Sequence, residues 1–190
     1  FRCRFSGTDD ICVSSAFRFS AASAVHRIPY KKLLNTILNC GNIHRYMNKF
    51  MDAAQKEAQL AFQSGEVPIG AVIEKDGQII GRGHNLTRTL KDPTAHAEMI
   101  AIREAARNLG GWRLIGCSMY VTVEPCAMCA GAMIWSRIEN LYIGAMDVKA
   151  GACGSVFNIP QEERLNHRIH VETGIMETQC RGIMQEFFGQ

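Results

Sequence analysis

Two apolar runs near the middle of the chain are joined by a very short link. The runs, Ile69–Glu74 and Gln78–Gly83, are separated only by Lys75-Asp76-Gly77. An Asp-Gly pair between two such runs strongly favours a β-hairpin. Downstream of this hairpin, strand-like and helix-like segments alternate. This order predicts an α/β fold in which one mixed sheet is covered by helices on both faces.

The spacing of apolar residues, together with glycine stops and proline starts, indicates the individual elements. The first helix is expected from Asn48 until Gly65 ends it. Asp92-Pro93-Thr94 is typical of a helix start, and Gly110-Gly111 is typical of a helix end. The other expected helices are Ala95–Leu109, Pro125–Trp135 and Ile175–Phe188, and the other expected strands are Ser118–Val123, Leu141–Gly144 and Ile169–Glu172.

Residues 1–46 differ from the rest of the chain in pattern and in charge. They show neither helical nor strand periodicity, and they carry five more basic than acidic side chains, whereas residues 47–190 carry two more acidic than basic ones. Three interpretations stay open: sequence translated upstream of a true start at Met47 or Met51, an organellar targeting peptide, or a disordered arm. We favour the first because the organised pattern begins at Met47, and we expect one functional domain over 47–190.

The remaining bulk properties concern the compartment. No apolar run reaches the roughly 18 residues that a membrane-spanning helix needs. The eight cysteines show no regular disulfide framework. We therefore expect reduced thiols in a cytoplasmic protein, or in an organellar one if residues 1–46 are a targeting peptide.

Three side chains have the chemistry and spacing of a catalytic zinc site. Cys126 and Cys129 are three residues apart, so on a helix they share one face and can hold the same metal ion. Pro125 predicts that the helix begins at this pair, where its dipole favours thiolates. His96 supplies a third ligand. Three protein ligands leave the fourth zinc position open for water, as in catalytic rather than structural sites.

Glu98 is the expected proton shuttle of this site. A carboxylate beside a metal-activated water can accept the water's proton and pass it to the substrate. Positions i and i+2 of a regular helix face different ways, so we expect His96 and Glu98 in the first turn of a helix that starts at Asp92-Pro93.

Each motif also has a simpler interpretation. A C-x-x-C pair alone is also typical of a redox pair or of two core thiols, and an isolated H-x-E is usually without function. Together, at two predicted helix starts, they favour a metal site. A structural zinc site would need a fourth ligand, and the available candidates lack short spacing to the pair: His84, Cys117, Cys153, His167 and His170.

H-x-E combined with P-C-x-x-C is the signature of the zinc deaminases. Residues 47–190 closely resemble the bacterial-type tRNA-specific adenosine deaminases of the cytidine deaminase-like superfamily. The resemblance rests on segments that run nearly from end to end: Gly65–Ala71, His84-Asn85, Asp92–Glu98, Tyr120–Ala132 and Asn166–Arg168. It implies a three-layer α/β/α fold with a central five-stranded mixed sheet.

The resemblance also implies an activity. Such enzymes hydrolyse the wobble adenosine of a tRNA anticodon to inosine, using zinc-activated water and a glutamate proton shuttle. It implies one Zn²⁺ per subunit, held by His96, Cys126 and Cys129, with Glu98 as the catalytic residue. It further implies a homodimer that binds a tRNA anticodon stem-loop.

Five further residues resemble RNA contacts of that family. Asn85 resembles the residue that binds the flipped adenine, and Asp147 the contact to the flanking nucleotide. Lys149 is expected near phosphate, while Asn166 and Phe187 resemble further anticodon-loop contacts. All but Asn166 also have an ordinary interpretation: a turn residue for Asn85, solvated charges for Asp147 and Lys149, and packing at a helix end for one of Phe187 and Phe188.

Two other functions fit the same motifs. The chain could deaminate a free nucleoside or base such as cytidine or guanine, and substrate assays distinguish this activity. It could also be a non-catalytic RNA-binding subunit on the same fold, but an intact Glu98 argues against that interpretation.

Overall fold

The computed structural model describes the backbone of residues 30–189 and the side chains of residues 45–189. The described residues from Leu38 onward form one compact unit. The helices are α1 (Tyr30–Gln63), α2 (Thr87–Leu90), α3 (Ala97–Leu109), α4 (Ala127–Ser136) and α5 (Glu177–Phe188), with a 3₁₀ turn over Ile159–Gln161. The strands are β1 (Gly70–Lys75), β2 (Gln78–His84), β3 (Ser118–Val123), β4 (Asn140–Ala145) and β5 (His170–Thr173).

The five strands form one mixed sheet in the order β2-β1-β3-β4-β5. β1 pairs antiparallel with both β2 and β3, whereas β3, β4 and β5 run parallel. The predicted hairpin is confirmed. Asp76 and Gly77 both have positive φ, 51° and 79°, as a tight turn that follows the twist of the strands requires.

Each face of the sheet is covered by helices. Val72 and Tyr120 pack with Met47, Phe50 and Met51 of α1 and with Cys180 of α5. The opposite face of the same strands packs against α3 and α4. The side chains alternate between the two faces, as the pleat of a strand requires. The predicted α/β/α arrangement around a five-stranded sheet is confirmed.

Glycines in β2 allow α3 to approach the sheet closely. A Cβ atom at Gly81 would collide with the carbonyl oxygen of Ala101, and one at Gly83 would collide with that of Ala97. The beginning of α3 is therefore held directly against β2. His96 immediately precedes this helix, so the same contact fixes one of the candidate metal ligands.

Several element boundaries differ from the sequence prediction. α1 begins at Tyr30 rather than Asn48, because the stretch between them contains no proline and only one glycine, Gly41. α3 begins at Ala97 rather than Ala95. α2 and the 3₁₀ turn were not predicted.

Residues 1–29 lie outside the described residues, so the interpretations of that segment stay predictions. Within residues 30–189, no helix combines the length and the apolar character needed to cross a membrane.

Candidate active site

The three predicted metal ligands lie together at the start of two helices. His96 is the N-cap residue of α3 and Cys126 is the N-cap residue of α4, both with extended backbone. Cys129 follows in the first turn of α4 and is buried. Cys126 comes shortly after the end of β3, so one ligand pair is fixed by a buried central strand.

The distances between the ligand atoms fit a zinc ion. The His96 Nδ1 atom lies 3.7 Å from Cys126 Sγ and 3.6 Å from Cys129 Sγ. Zinc bonds of about 2.3 Å to sulfur and about 2.0–2.1 Å to nitrogen place tetrahedral ligand atoms roughly 3.5–3.8 Å apart. Nitrogen with two sulfurs is also the donor set that zinc prefers. The residues present therefore fit the metal.

The two thiols differ in acidity. Hydrogen bonds with Cys129 and with the His96 ring lower the pKa of Cys126 to about 4. A hydrogen bond with Cys126 and burial raise the pKa of Cys129. The pair by itself therefore favours one thiolate over two. A divalent cation supplies the positive charge that stabilises a second thiolate beside the first.

Glu98 is buried near these ligands, with 3% of its surface exposed. It lies in the first turn of α3, and burial raises the pKa of its carboxyl. The expectation that His96 also lies in that first turn is wrong, because His96 precedes the helix. Its extended backbone removes the conflict between positions i and i+2, so both side chains can face the same site.

The candidates for a fourth ligand lie elsewhere. Among the described residues, the ligand cluster contains only His96, Cys126 and Cys129. The ring of His84 contacts Glu57 at 2.9 Å, and the ring of His167 contacts the Ile138 carbonyl at 2.6 Å. His170 pairs with Glu172 at 3.1 Å, while Cys117 and Cys153 are buried thiols outside the cluster.

Asn85 binds the backbone at the start of α3. It is buried, and its side-chain oxygen accepts a hydrogen bond of 3.0 Å from the Ala97 N–H at the start of α3. This contact satisfies one of the free N–H groups that every helix start leaves. Asn85 is therefore held beside His96.

A groove of about 380 Å³ lies at the carboxyl ends of β3 and β4. It is lined by apolar and charged side chains that include Val67, Met146, Asp147, Lys149, Arg181 and Phe188. Two of the predicted RNA contacts, Asp147 and Lys149, therefore share one groove. Asp147 also accepts hydrogen bonds from the Lys149 and Ala150 N–H groups, which order the loop after β4.

The other two predicted contacts have partners of their own. The side-chain oxygen of Asn166 accepts a hydrogen bond of 2.7 Å from Arg137 and is exposed. The Phe187 ring packs edge-on against Phe62 of α1, with 5.8 Å between centroids. Phe188 is 68% exposed and lines the groove instead.

Two buried carboxylates were missed by the sequence analysis. Glu66 and Glu124 are 0% and 4% exposed, and each accepts backbone hydrogen bonds from a segment far away in the chain. The available signal was a charged residue directly beside an apolar run. That pattern alone does not distinguish a buried carboxylate from a solvated one.

Comparisons with known proteins agree with this geometry. The family described as "Cytidine and deoxycytidylate deaminase zinc-binding region" matches residues 45–145. The tRNA-specific adenosine deaminase of Bacillus subtilis (strain 168) is 50% identical over 139 residues, which are 73% of this chain and 86% of the relative.

Solved structures agree as well. A structure from a study of A-to-I editing by tRNA:A34 deaminases at the wobble position of transfer RNA has 45% sequence identity and a TM-score of 0.69, over 71% of this chain and 98% of the other. Guanine deaminase from Bacillus subtilis has 41% identity and a TM-score of 0.51, over 56% of this chain and 69% of the other. The predicted cytidine deaminase-like fold and the zinc cofactor are confirmed. The chain belongs to the tRNA-specific adenosine deaminases, within the family of the cytidine and deoxycytidylate deaminase zinc-binding region.

Proposed function

We propose that this protein hydrolyses adenosine to inosine at the wobble position of a tRNA anticodon. The observation that carries the proposal is the cluster of one imidazole and two thiols with a buried carboxylate, Glu98, next to it. Relatives at 45–50% identity are tRNA-specific adenosine deaminases, which supports this substrate over a free base.

The metal ligands in this proposal are His96, Cys126 and Cys129. When bound, zinc lowers the pKa of a water molecule towards neutrality and so makes a nucleophile available at neutral pH. The ligand atoms lie at tetrahedral separations, and the described cluster contains three protein ligands rather than four. This number is typical of a catalytic zinc site.

Glu98 moves the protons of the reaction. Its carboxylate accepts a proton from the attacking water and delivers it to the ring nitrogen of adenine, while the water oxygen bonds to C6. It then transfers the second water proton to the leaving amine, so that water and adenosine become inosine and ammonia. Because Glu98 is buried, bulk water does not compete for these protons.

The RNA is bound by side chains around this site. An anticodon loop presents unpaired bases, so extruding one of them costs little. Asn85, held against the start of α3, pairs with the edge of the adenine. Asp147, Lys149 and Asn166 contact the flanking nucleotides. Phe187 was predicted to contact the loop as well, but the exposure of Phe188 in the groove favours Phe188 for that role.

The assembly and compartment complete the proposal. We infer a homodimer, which is supported by the large exposed apolar side chains Trp135 and Phe157, 68% and 59% exposed. A cytoplasmic location is supported by the free state of the five described cysteines. Residues 47–190 are the deaminase domain, and residues 1–46 are a disordered arm, a targeting peptide or sequence translated upstream of the true start.

The decisive experiment uses an anticodon stem-loop with adenosine at the wobble position. We expect inosine at that position only, detected by sequencing, and one ammonia released per inosine. The same enzyme is incubated with free adenosine, cytidine and guanine. Ammonia from a free base but no inosine in the stem-loop would show a different deaminase, and no product from any substrate would show a non-catalytic subunit.

A further inference from the structure

Glu124 is a buried carboxylate without a cationic partner. It follows β3 and precedes Pro125, and only 4% of its surface is exposed. None of the ion pairs among the described residues includes it. A buried carboxylate is costly unless hydrogen bonds satisfy it. The structure around Glu124 therefore has to supply donors.

Those donors all come from one loop. Oε2 of Glu124 accepts from the Asp147 N–H at 2.9 Å and from the Ser155 hydroxyl. Oε1 accepts from the N–H groups of Cys153 at 2.9 Å and Ser155 at 3.0 Å. The loop 146–155 thus wraps around the carboxylate. Gly151 allows this close approach, because a Cβ atom there would collide with the Glu124 carboxyl group.

The same loop connects the metal site to the groove. The second half of the loop pairs with the turn that carries a metal ligand. Cys126 forms a β-bridge with Gly151, and the Ala152 N–H donates to the Pro125 carbonyl at 2.8 Å. The first half of the loop contains Asp147 and Lys149, which line the groove. One carboxylate therefore holds both ends of the loop.

We propose that Glu124 is a positioning residue for the RNA substrate, which fixes the loop 146–155 so that Asp147 and Lys149 face the flanking nucleotides. This inference rests on the proposed function. Glu124 does not touch the reacting atoms in this scheme. It acts through the loop, so its effect falls on substrate binding rather than on the chemical step.

The hydrogen-bond pattern requires a carboxylate rather than an amide. All four partners of Glu124 are donors, and an amide has only one acceptor oxygen. In Glu124→Gln, an NH₂ group on the Oε2 side can be accommodated by Ser155, whose hydroxyl can turn to accept. The Asp147 N–H on that side then faces another donor and loses its partner. The loop is expected to loosen at Asp147 first.

The test compares Glu124→Gln with wild type on the wobble-adenosine stem-loop. We expect KM to rise by about 10-fold or more, with kcat changed by less than about threefold, because uniform binding is lost. The zinc content is expected to stay at the wild-type level. Glu139→Gln is the matched control. Glu139 accepts a single backbone hydrogen bond, from the Gly116 N–H, and lies at the amino end of β4, away from the groove. It is expected to have wild-type kinetics.

A double-mutant cycle with the paired substitutions Asp147→Ala and Lys149→Ala separates positioning from general stabilisation. If Glu124 acts through the loop, its substitution raises KM much less once both of these side chains are already removed. Additive effects would overturn the proposal, and so would an unchanged KM or a fall confined to kcat and zinc content. If Glu124→Gln does not fold, Ser155→Ala decides, since a raised KM supports the proposal and an unchanged KM overturns it. Wild-type enzyme that makes no inosine would instead reject the proposed function.

Discussion

Glu98 is the residue that distinguishes a catalytic site from a metal-binding one. Replacing it with glutamine preserves the shape but removes the group that accepts the proton of water. We expect Glu98→Gln to slow inosine formation by about 10²–10⁴-fold, the usual contribution of a positioned general acid or base. Single-turnover assays on the stem-loop measure the rate.

The zinc content of the same variant is the necessary control. Glu98 is not one of the three clustered ligands, so zinc per chain is expected to equal that of wild type. A variant with full zinc and a normal rate would remove Glu98 from the mechanism. A variant without zinc would show that Glu98 supports the metal site instead.

The ligand thiols make a second prediction at the residue scale. Cys126→Ser and Cys129→Ser each replace a thiolate donor by a hydroxyl, which zinc does not favour. We expect zinc affinity to fall by more than about 100-fold, since even indirect partners of ligands contribute 10–100-fold. Competition with a chromogenic chelator measures it. Cys117→Ser, at a buried cysteine outside the cluster, is expected to keep wild-type affinity. Equal losses in all three variants would contradict the assignment.

At the scale of elements, Glu66 stabilises the short helix α2. It accepts hydrogen bonds from the N–H groups of Thr89 at 2.7 Å and Arg88 at 3.2 Å. Burial raises the pKa of Glu66, but these bonds and those of the threonine side chains outweigh it, so its pKa lies below the usual 4.5. A group with a lowered pKa stabilises the fold above its unfolded pKa, and this contribution is lost as the pH falls through the folded value.

Glu66→Gln tests this linkage. Wild-type stability is expected to fall as the pH drops below about 4.5, and the difference in unfolding free energy between wild type and variant should shrink over the same range. At pH 7 the variant is expected to be less stable by about 1–3 kcal/mol, because an amide leaves one backbone donor unsatisfied. Urea unfolding from pH 7 downward measures both curves. Curves that stay parallel would contradict the prediction.

Local signals predicted some elements well and others poorly. The Asp76-Gly77 turn and the strand Ser118–Val123 depend on neighbouring residues, and both agree with the structure. Asp92-Pro93-Thr94 did not start a helix, because Asp92 accepts hydrogen bonds from the N–H and hydroxyl of Thr94 and closes its own turn. For this reason the sequence prediction put the start of α3 too early and put His96 inside the helix instead of before it.

In the candidate site, too, local patterns were predictable from the sequence and distant contacts were not. The spacing in the sequence identified His96, Cys126 and Cys129 because each motif is short. Glu66 and Glu124 were missed because their partners lie 21 to 31 residues away. A local pattern contains no information on such contacts. Phe187 and Phe188 could not be separated, since only the packing of α5 on α1 shows which ring points to Phe62.

At the scale of the whole molecule, charge is distributed unfavourably for binding RNA. Residues 47–190 carry two more acidic than basic side chains. Affinity for a polyanion must then depend on a few local cations, such as Lys149 and Arg181 in the groove. Arg181 already pairs with Glu177, which reduces its contribution. The fold places these cations at the carboxyl ends of the parallel strands, the same edge that carries Cys126.

A small number of phosphate contacts predicts a weak dependence of binding on salt. Each contact to single-stranded RNA contributes about −0.7 to the slope of log affinity against log salt. With about two contacts, a change from 50 to 200 mM salt weakens stem-loop binding only about sevenfold, where six to ten contacts at the same slope would weaken it by about 300-fold to about 16,000-fold. Lys149→Ala should make the slope shallower by about 0.7–1.

Fluorescence anisotropy over a salt series measures both slopes. Lys91→Ala, at an exposed lysine that does not line the groove, is expected to leave the slope unchanged. A steep slope that Lys149→Ala does not alter would show that the RNA binds to another surface, and the basic residues 1–46 would then be the first place to test.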